Sequence, residues 1–106
     1  MPIISVRNIA GQISLPSSLY SEICRLAEKY DVNQVVLFGS RAKGTNRERS
    51  DIDLFVYGQH IDDFRYALDE EAETLLKFDV VDASGFVSDE LKSEVEKFGI
   101  KIYEKV

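Results

Sequence analysis

Val35, Val36, Leu37 and Phe38 form an uninterrupted apolar run that stops at Gly39. Successive side chains of a strand point to opposite faces, so a run that is apolar at every position demands cover on both sides. A sheet with one wet face does not satisfy it. The remainder of a 106-residue chain must supply packing layers above and below this strand. That length suits one domain spanning residues 1–106. Its 44% hydrophobic residues, with only 6 Gly and 2 Pro, can fill a core and do not fit a disordered chain.

Periodicity identifies the layers. Residues 16–30 place Leu19, Ile23, Leu26, Ala27 and Tyr30 at helical spacing, with Pro16 in the first turn and a turn at Asp31, Val32 and Asn33. From Ser50 to Tyr57 the pattern alternates instead. Ile52, Leu54 and Val56 point to one face and Asp51, Asp53, Phe55 and Tyr57 to the other. Ile61, Phe64, Leu68, Ala72 and Leu75 predict a second helix over 61–76 with an acidic outer face. A short strand follows over 78–81. Ser88 then suits the N-cap of a helix carrying Leu91, Val95 and Phe98, with Gly99 as its stop, and Ile100 and Ile102 mark a last strand. The order helix, strand, strand, helix, strand, helix, strand predicts an α/β fold, a small mixed sheet packed with helices. Residues 1–15 carry no clear pattern, and no internal repeat is present.

Charge and cysteine content narrow the setting. Nineteen Asp and Glu against 13 Lys and Arg give a net charge of -6, unsuited to direct binding of nucleic acid, which needs cations to displace condensed counterions. No apolar run approaches the ~20 residues of a membrane span. Cys24 has no partner for an internal disulfide, and the Met-Pro-Ile-Ile start lacks the features of a signal peptide, so a cytoplasmic location is expected. The charge is also unevenly placed. Residues 1–50 hold seven basic and four acidic residues, and residues 51–106 hold six basic and fifteen acidic.

Chemistry concentrates where the sign changes. Gly39 followed by Ser40 at the end of a buried strand lets the backbone bend sharply and offer N–H groups and a hydroxyl to an anion, although the same dipeptide also serves as a plain strand-ending turn. Gly39 and Gly44 share the glycine spacing of a phosphate-binding P-loop, but Thr45 stands where its Lys should be, which excludes that motif. Asp51 and Asp53 lie two residues apart, on one face of the alternating strand. Unpaired carboxylates so close repel, and a hard divalent cation such as Mg²⁺ relieves the repulsion; two solvated acids on an edge strand fit the pattern equally well. Asp79, in a strand whose Phe78 and Val80 point the other way, joins the same cluster if that strand is a neighbour. Asp82 should face away and cap a turn. Arg41, Lys43, Arg47 and Arg49 form a basic run between the Gly-Ser turn and the carboxylates, suited as a group to neutralising a polyphosphate and individually to a solvated loop. His60 fits a cap at a strand-helix junction, and Cys24 a small core residue.

Together, Gly39-Ser40, ten residues, Asp51-x-Asp53 and the strand Phe78-Asp79-Val80-Val81-Asp82 resemble the signature of the minimal nucleotidyltransferases of the DNA polymerase β superfamily. The segment VVLFGSRAKGTNRERSDIDLFV matches that pattern without a gap, and the likeness runs from about Ser18 to the end of the chain. The resemblance implies a polymerase-β-like fold, a nucleoside triphosphate donor, ATP by preference, and two Mg²⁺ ions. Gly39 and Ser40, with Arg41 and Lys43, would hold the phosphates. Asp51, Asp53 and Asp79 would hold the metals, Asp79 also standing where the family places the acid that helps deprotonate the acceptor hydroxyl. Larger members carry a further helical domain for which this chain has no room, so the resemblance also implies a partner. Stand-alone members pair with a helical HEPN toxin and act as antitoxins by transferring AMP to one of its tyrosines. Two other functions remain compatible with the residues: a module that neutralises a partner by stoichiometric binding, and an enzyme of the aminoglycoside-modifying type.

Overall fold

The computed structural model describes residues 14–106, so the N-terminal stretch without a pattern lies, up to residue 13, outside the described residues. Eight elements follow in order: α1 (Ser17–Lys29), β1 (Val32–Phe38), α2 (Ser40–Lys43), β2 (Ile52–Gly58), α3 (Ile61–Glu71), β3 (Phe78–Asp82), α4 (Asp89–Phe98) and β4 (Ile100–Glu104). The strands form one mixed sheet in the order β3-β2-β1-β4. β1 pairs antiparallel with both β2 and β4, and β2 pairs parallel with β3 through the α3 crossover.

The doubly apolar strand is central, as its sequence requires. Val35 and Leu37 face a large core built from Leu19, Tyr20, Ile23, Leu26 and Ala27 of α1 and Ile61, Phe64, Ala67 and Leu68 of α3. Val36 and Phe38 face a smaller cluster with Phe55 and Val95, where α4 lies on the opposite face. The phenyl rings of Phe38 and Phe55 meet edge to face, 6.3 Å apart. Alternation in β2 follows from this division: Ile52, Leu54 and Val56 are fully buried under α1 and α3, while Asp53, Phe55 and Tyr57 occupy the α4 face.

Four local expectations are corrected. β1 begins at Val32, because the chain reverses at Asp31 alone (φ 59°) and the buried Val32 already pairs with Gly58. α3 ends at Glu71 rather than near residue 76. The chain must leave the helix to enter the sheet, where the Lys77 carbonyl accepts from the Ile52 N–H at 2.8 Å, and Leu75 is left 99% exposed. Phe98 is 46% exposed at the end of α4. Gly39 and Ser40 open a single helical turn, α2, that the sequence pattern did not indicate. Ser88 caps α4 as expected, its Oγ accepting from the Leu91 N–H at 3.2 Å. Gly99 ends that helix in extended geometry (φ -63°), so its role is close approach: a Cβ there would stand 2.8 Å from Val36 Cγ1. Cys24 is half-buried beside the Ile102 carbonyl, and burial pushes its thiol up to about 11. Among the described residues, no helix is long and apolar enough to cross a membrane.

Candidate active site

The end of β1 and the starts of β2 and β3 lie side by side along one edge of the sheet. Antiparallel pairing sets Phe38 opposite Asp53, and parallel pairing sets Asp53 opposite Asp79, so Gly39, Asp53 and Asp79 come from three adjacent segments. Neighbouring strands stand about 4.8 Å apart, which brings the Asp53 and Asp79 backbones within side-chain reach. Asp79 is exposed on this face while Phe78 and Val80 turn to the large core. Asp51 is exposed just before β2.

Gly39 is required by its surroundings. Its φ of 73° lies in the left-handed region, and a Cβ built on it would overlap the Asp53 carboxylate. The backbone therefore approaches that carboxylate as no other residue allows. Ser40 follows as the first residue of α2, whose Lys43 N–H returns to the Gly39 carbonyl at 3.2 Å.

Asp53 is half-buried, and its carboxyl is pushed up to about 6. Burial is the largest cause, followed by the negative charges of Asp79, Asp51 and Glu94; Arg41 opposes them. Glu94, on α4, was not indicated by any sequence motif. It flanks the Leu91–Val95 stripe that faces the sheet, a position that matters only once α4 is known to cross the carboxylate face. Uncompensated carboxylate oxygens of this kind suit a hard divalent cation. Among the described residues, no three acidic, His or Cys side chains converge enough to enclose a metal ion by themselves. A cation held here would need further oxygen ligands, such as those of a polyphosphate.

The two cations expected at the phosphates are placed differently. Arg41 is 3% exposed and turns inward: Nε donates to the Ser50 carbonyl at 3.1 Å, Nη1 to Ser14 at 2.6 Å and Nη2 to Glu48 at 3.0 Å. It fastens the loop leading to Asp51 and does not reach out to a ligand. Lys43 points from α2 to α4, its Nζ 3.4 Å from Glu94 Oε1 and 5.2 Å from the centre of the Phe98 ring. Arg47 and Arg49 are exposed. Asp82 faces away and accepts from the Ser84 N–H at 2.9 Å, as its spacing predicts. His60 occupies the N-cap of α3 with φ 58°, but its side chain makes no capping bond.

Comparison with known proteins identifies the family and the fold. Residues 21–106 match the family described as polymerase beta, nucleotidyltransferase. A curated protein of Methanocaldococcus jannaschii, named "Putative protein adenylyltransferase MJ0604", is 40% identical over 60 residues, which are 57% of this chain and 58% of the relative. The match therefore spans little more than half of that relative's length. A crystal structure of a toxin-antitoxin with AMP-PNP superposes with a TM-score of 0.65 at 23% identity, covering 81% of this chain and 73% of the other. A mutant of the toxin-antitoxin MntA-HpeT superposes with a TM-score of 0.64 at 21% identity and the same coverage. These two likenesses concern the fold.

Proposed function

Because the chain belongs to the polymerase β nucleotidyltransferase family, we propose that it is an enzyme that transfers AMP from ATP to a protein hydroxyl, a tyrosine of a helical HEPN toxin, and so acts in the cytoplasm as an antitoxin. The observation that carries this reading is the meeting of Gly39, Asp53 and Asp79 on adjacent segments, with Asp51 and Ser40 beside them. The relative named as a protein adenylyltransferase and the fold shared with toxin-antitoxin proteins support the acceptor class.

Each residue then has a task. Backbone N–H groups after Gly39 and the Ser40 hydroxyl bind the β and γ phosphates, the close approach at Gly39 keeping them next to the carboxylates. Lys43, released from Glu94, adds positive charge on the same side. Arg41 holds the loop that carries Asp51. Asp51, Asp53 and Asp79 would hold two Mg²⁺ ions, which when bound neutralise charge on the attacking and leaving oxygens. The acceptor hydroxyl attacks the α phosphorus in line, forming a new P–O bond as the bond to the bridging oxygen breaks and pyrophosphate leaves. Asp79, exposed on the acceptor side, takes the hydroxyl proton. Positioning and charge neutralisation account for the rate, so few other side chains are needed.

The test is direct. Incubation with ATP, Mg²⁺ and the HEPN partner should add the mass of an adenylyl group to that partner, and an unchanged mass would overturn the reading. Asp51→Ala and Asp53→Ala should each abolish labelling while circular dichroism stays unaltered.

A further inference from the structure

α4 is held to the sheet lightly. Val95 is its one buried residue, and Leu91 packs beside it against the cluster of Phe38 and Phe55. Among the described residues α4 makes a single ion pair, from Glu94 to Lys43 at the end of α2. Glu94 Oε1 lies 3.4 Å from Lys43 Nζ, and the same ammonium stands 5.2 Å from the centre of the Phe98 ring. Glu94 and Phe98 are four residues apart on a helix, so they share one face and hold Lys43 between a carboxylate and an aromatic ring.

We propose that Glu94 is an internal competitor for Lys43: it holds the lysine on α4 while no donor is bound and yields it to the donor's phosphates, so that donor binding unlatches α4. The inference rests on the donor reading above and adds to it a control on the same site. Lys43 can serve either side. Its backbone N–H returns to the Gly39 carbonyl at 3.2 Å, so it stands one helical turn from the Gly39-Ser40 turn, and its flexible stem can swing the ammonium from α4 toward an anion there.

Glu94 and a donor oppose each other. The negative charge of Glu94 is felt at Asp53 together with those of Asp79 and Asp51, which sets it on the carboxylate side of the sheet. A polyphosphate at the turn brings several negative charges to that side and offers Lys43 more oxygens than one carboxylate does. The ion pair is 34% exposed at both ends, where such a pair is worth little by itself. Exchange is therefore cheap, and it leaves Glu94 without a partner and repelled by the new ligand. With Val95 as the one buried contact of the helix, α4 is the element that gives way.

Calorimetry on the full chain with ATP and with inorganic tripolyphosphate, each in Mg²⁺, measures the competition. Glu94→Gln, which keeps the shape and loses the charge, should bind both ligands roughly five-fold more tightly than the unaltered protein. In a Lys43→Met background the same substitution should bring little gain, because no ammonium is left to contest. Hydrogen exchange reads the latch. A bound ligand ordinarily slows exchange, but here tripolyphosphate should speed that of the α4 amides; in Glu94→Gln they should be fast from the start and respond no further. Equal affinities in the two proteins, a gain of full size in the Lys43→Met background, or α4 amides of the unaltered protein that slow or stay unchanged when tripolyphosphate binds would each overturn the proposal. Tighter binding in Glu94→Gln with the expected response of α4, but without AMP reaching the HEPN partner, upholds the competition and overturns the transfer reading instead.

Discussion

Asp53 is the residue on which stability and the proposed chemistry pull in opposite directions. Its carboxyl is raised to about 6 by burial and by Asp79, Asp51 and Glu94. A group whose folded value lies above its unfolded value favours the fold in its protonated form. That contribution is complete below about pH 4, the unfolded value, and is lost as the pH rises through 6. At pH 7 the metal-free protein therefore carries an ionised, half-buried acid at a net cost. Asp53→Asn should raise the melting temperature of metal-free protein at pH 7 by roughly 4 °C, about 1 kcal/mol after allowance for solvent screening, and by nothing at pH 4. Adding Mg²⁺ and ATP should reverse the ranking, since only the carboxylate gains from the bound cation. Thermal melts at the two pH values, with and without Mg-ATP, measure all of this; a lower melting point for the variant at pH 7 without metal would contradict the sign.

Among the elements, the loop between α2 and β2 owes its shape to one side chain. Arg41 supplies hydrogen bonds to three carbonyls, one of them on Ser14, ahead of α1. Replacing it with Met takes the donor from three part-buried bonds, at about 1–3 kcal/mol for each acceptor that water cannot reach. Arg41→Met should lower stability in urea by about 2–4 kcal/mol, and Arg41→Lys, which can reach only part of the set, by less. Loss below 0.5 kcal/mol in Arg41→Met would show that the loop holds itself. The same residue marks the limit of what is legible in sequence. Elements signalled by local chemistry are found where expected: the doubly apolar β1, the alternating β2 and the Ser88 cap each depend on neighbours in the chain. Arg41 looks like a loop cation because its partners are identified only when distant segments meet. Glu94 is silent until α4 crosses the carboxylate face, and Leu75 fits the α3 stripe although the return to the sheet pulls it away. Asp53 and Asp79 share a face because each sits in an alternating strand, whereas Asp51 stands just before β2, not in it as the spacing predicts, and the surroundings of all three are tertiary.

At the scale of the whole molecule, the two faces of the sheet differ in how much they bury. The α1 and α3 face holds most of the core, with Phe64, Ile23, Leu26 and Leu54 fully excluded from water. The other face has four buried residues, Val36, Phe38, Phe55 and Val95, because Asp53 and Asp79 interrupt its apolar pattern. Stability should therefore be graded across the sheet, with α4 the element that opens first. Phe64→Ala removes a fully buried ring and should cost about 3–5 kcal/mol, a large part of the stability of a domain this size. Val95→Ala, on the thin side, should cost only about 1–2 kcal/mol and act locally. Native-state hydrogen exchange separates the two. Amides of α4 should exchange at a lower opening free energy than those of β1 and β2, and Val95→Ala should widen that gap while the central strands keep their protection. Protection in α4 equal to that of β1 would mean that the thin face is as cooperative as the thick one. A helix that opens first is also the one that carries Glu94, the partner of Lys43. Weak anchoring of α4 should thus make it less costly to exchange that ion pair for the polyphosphate of the proposed donor.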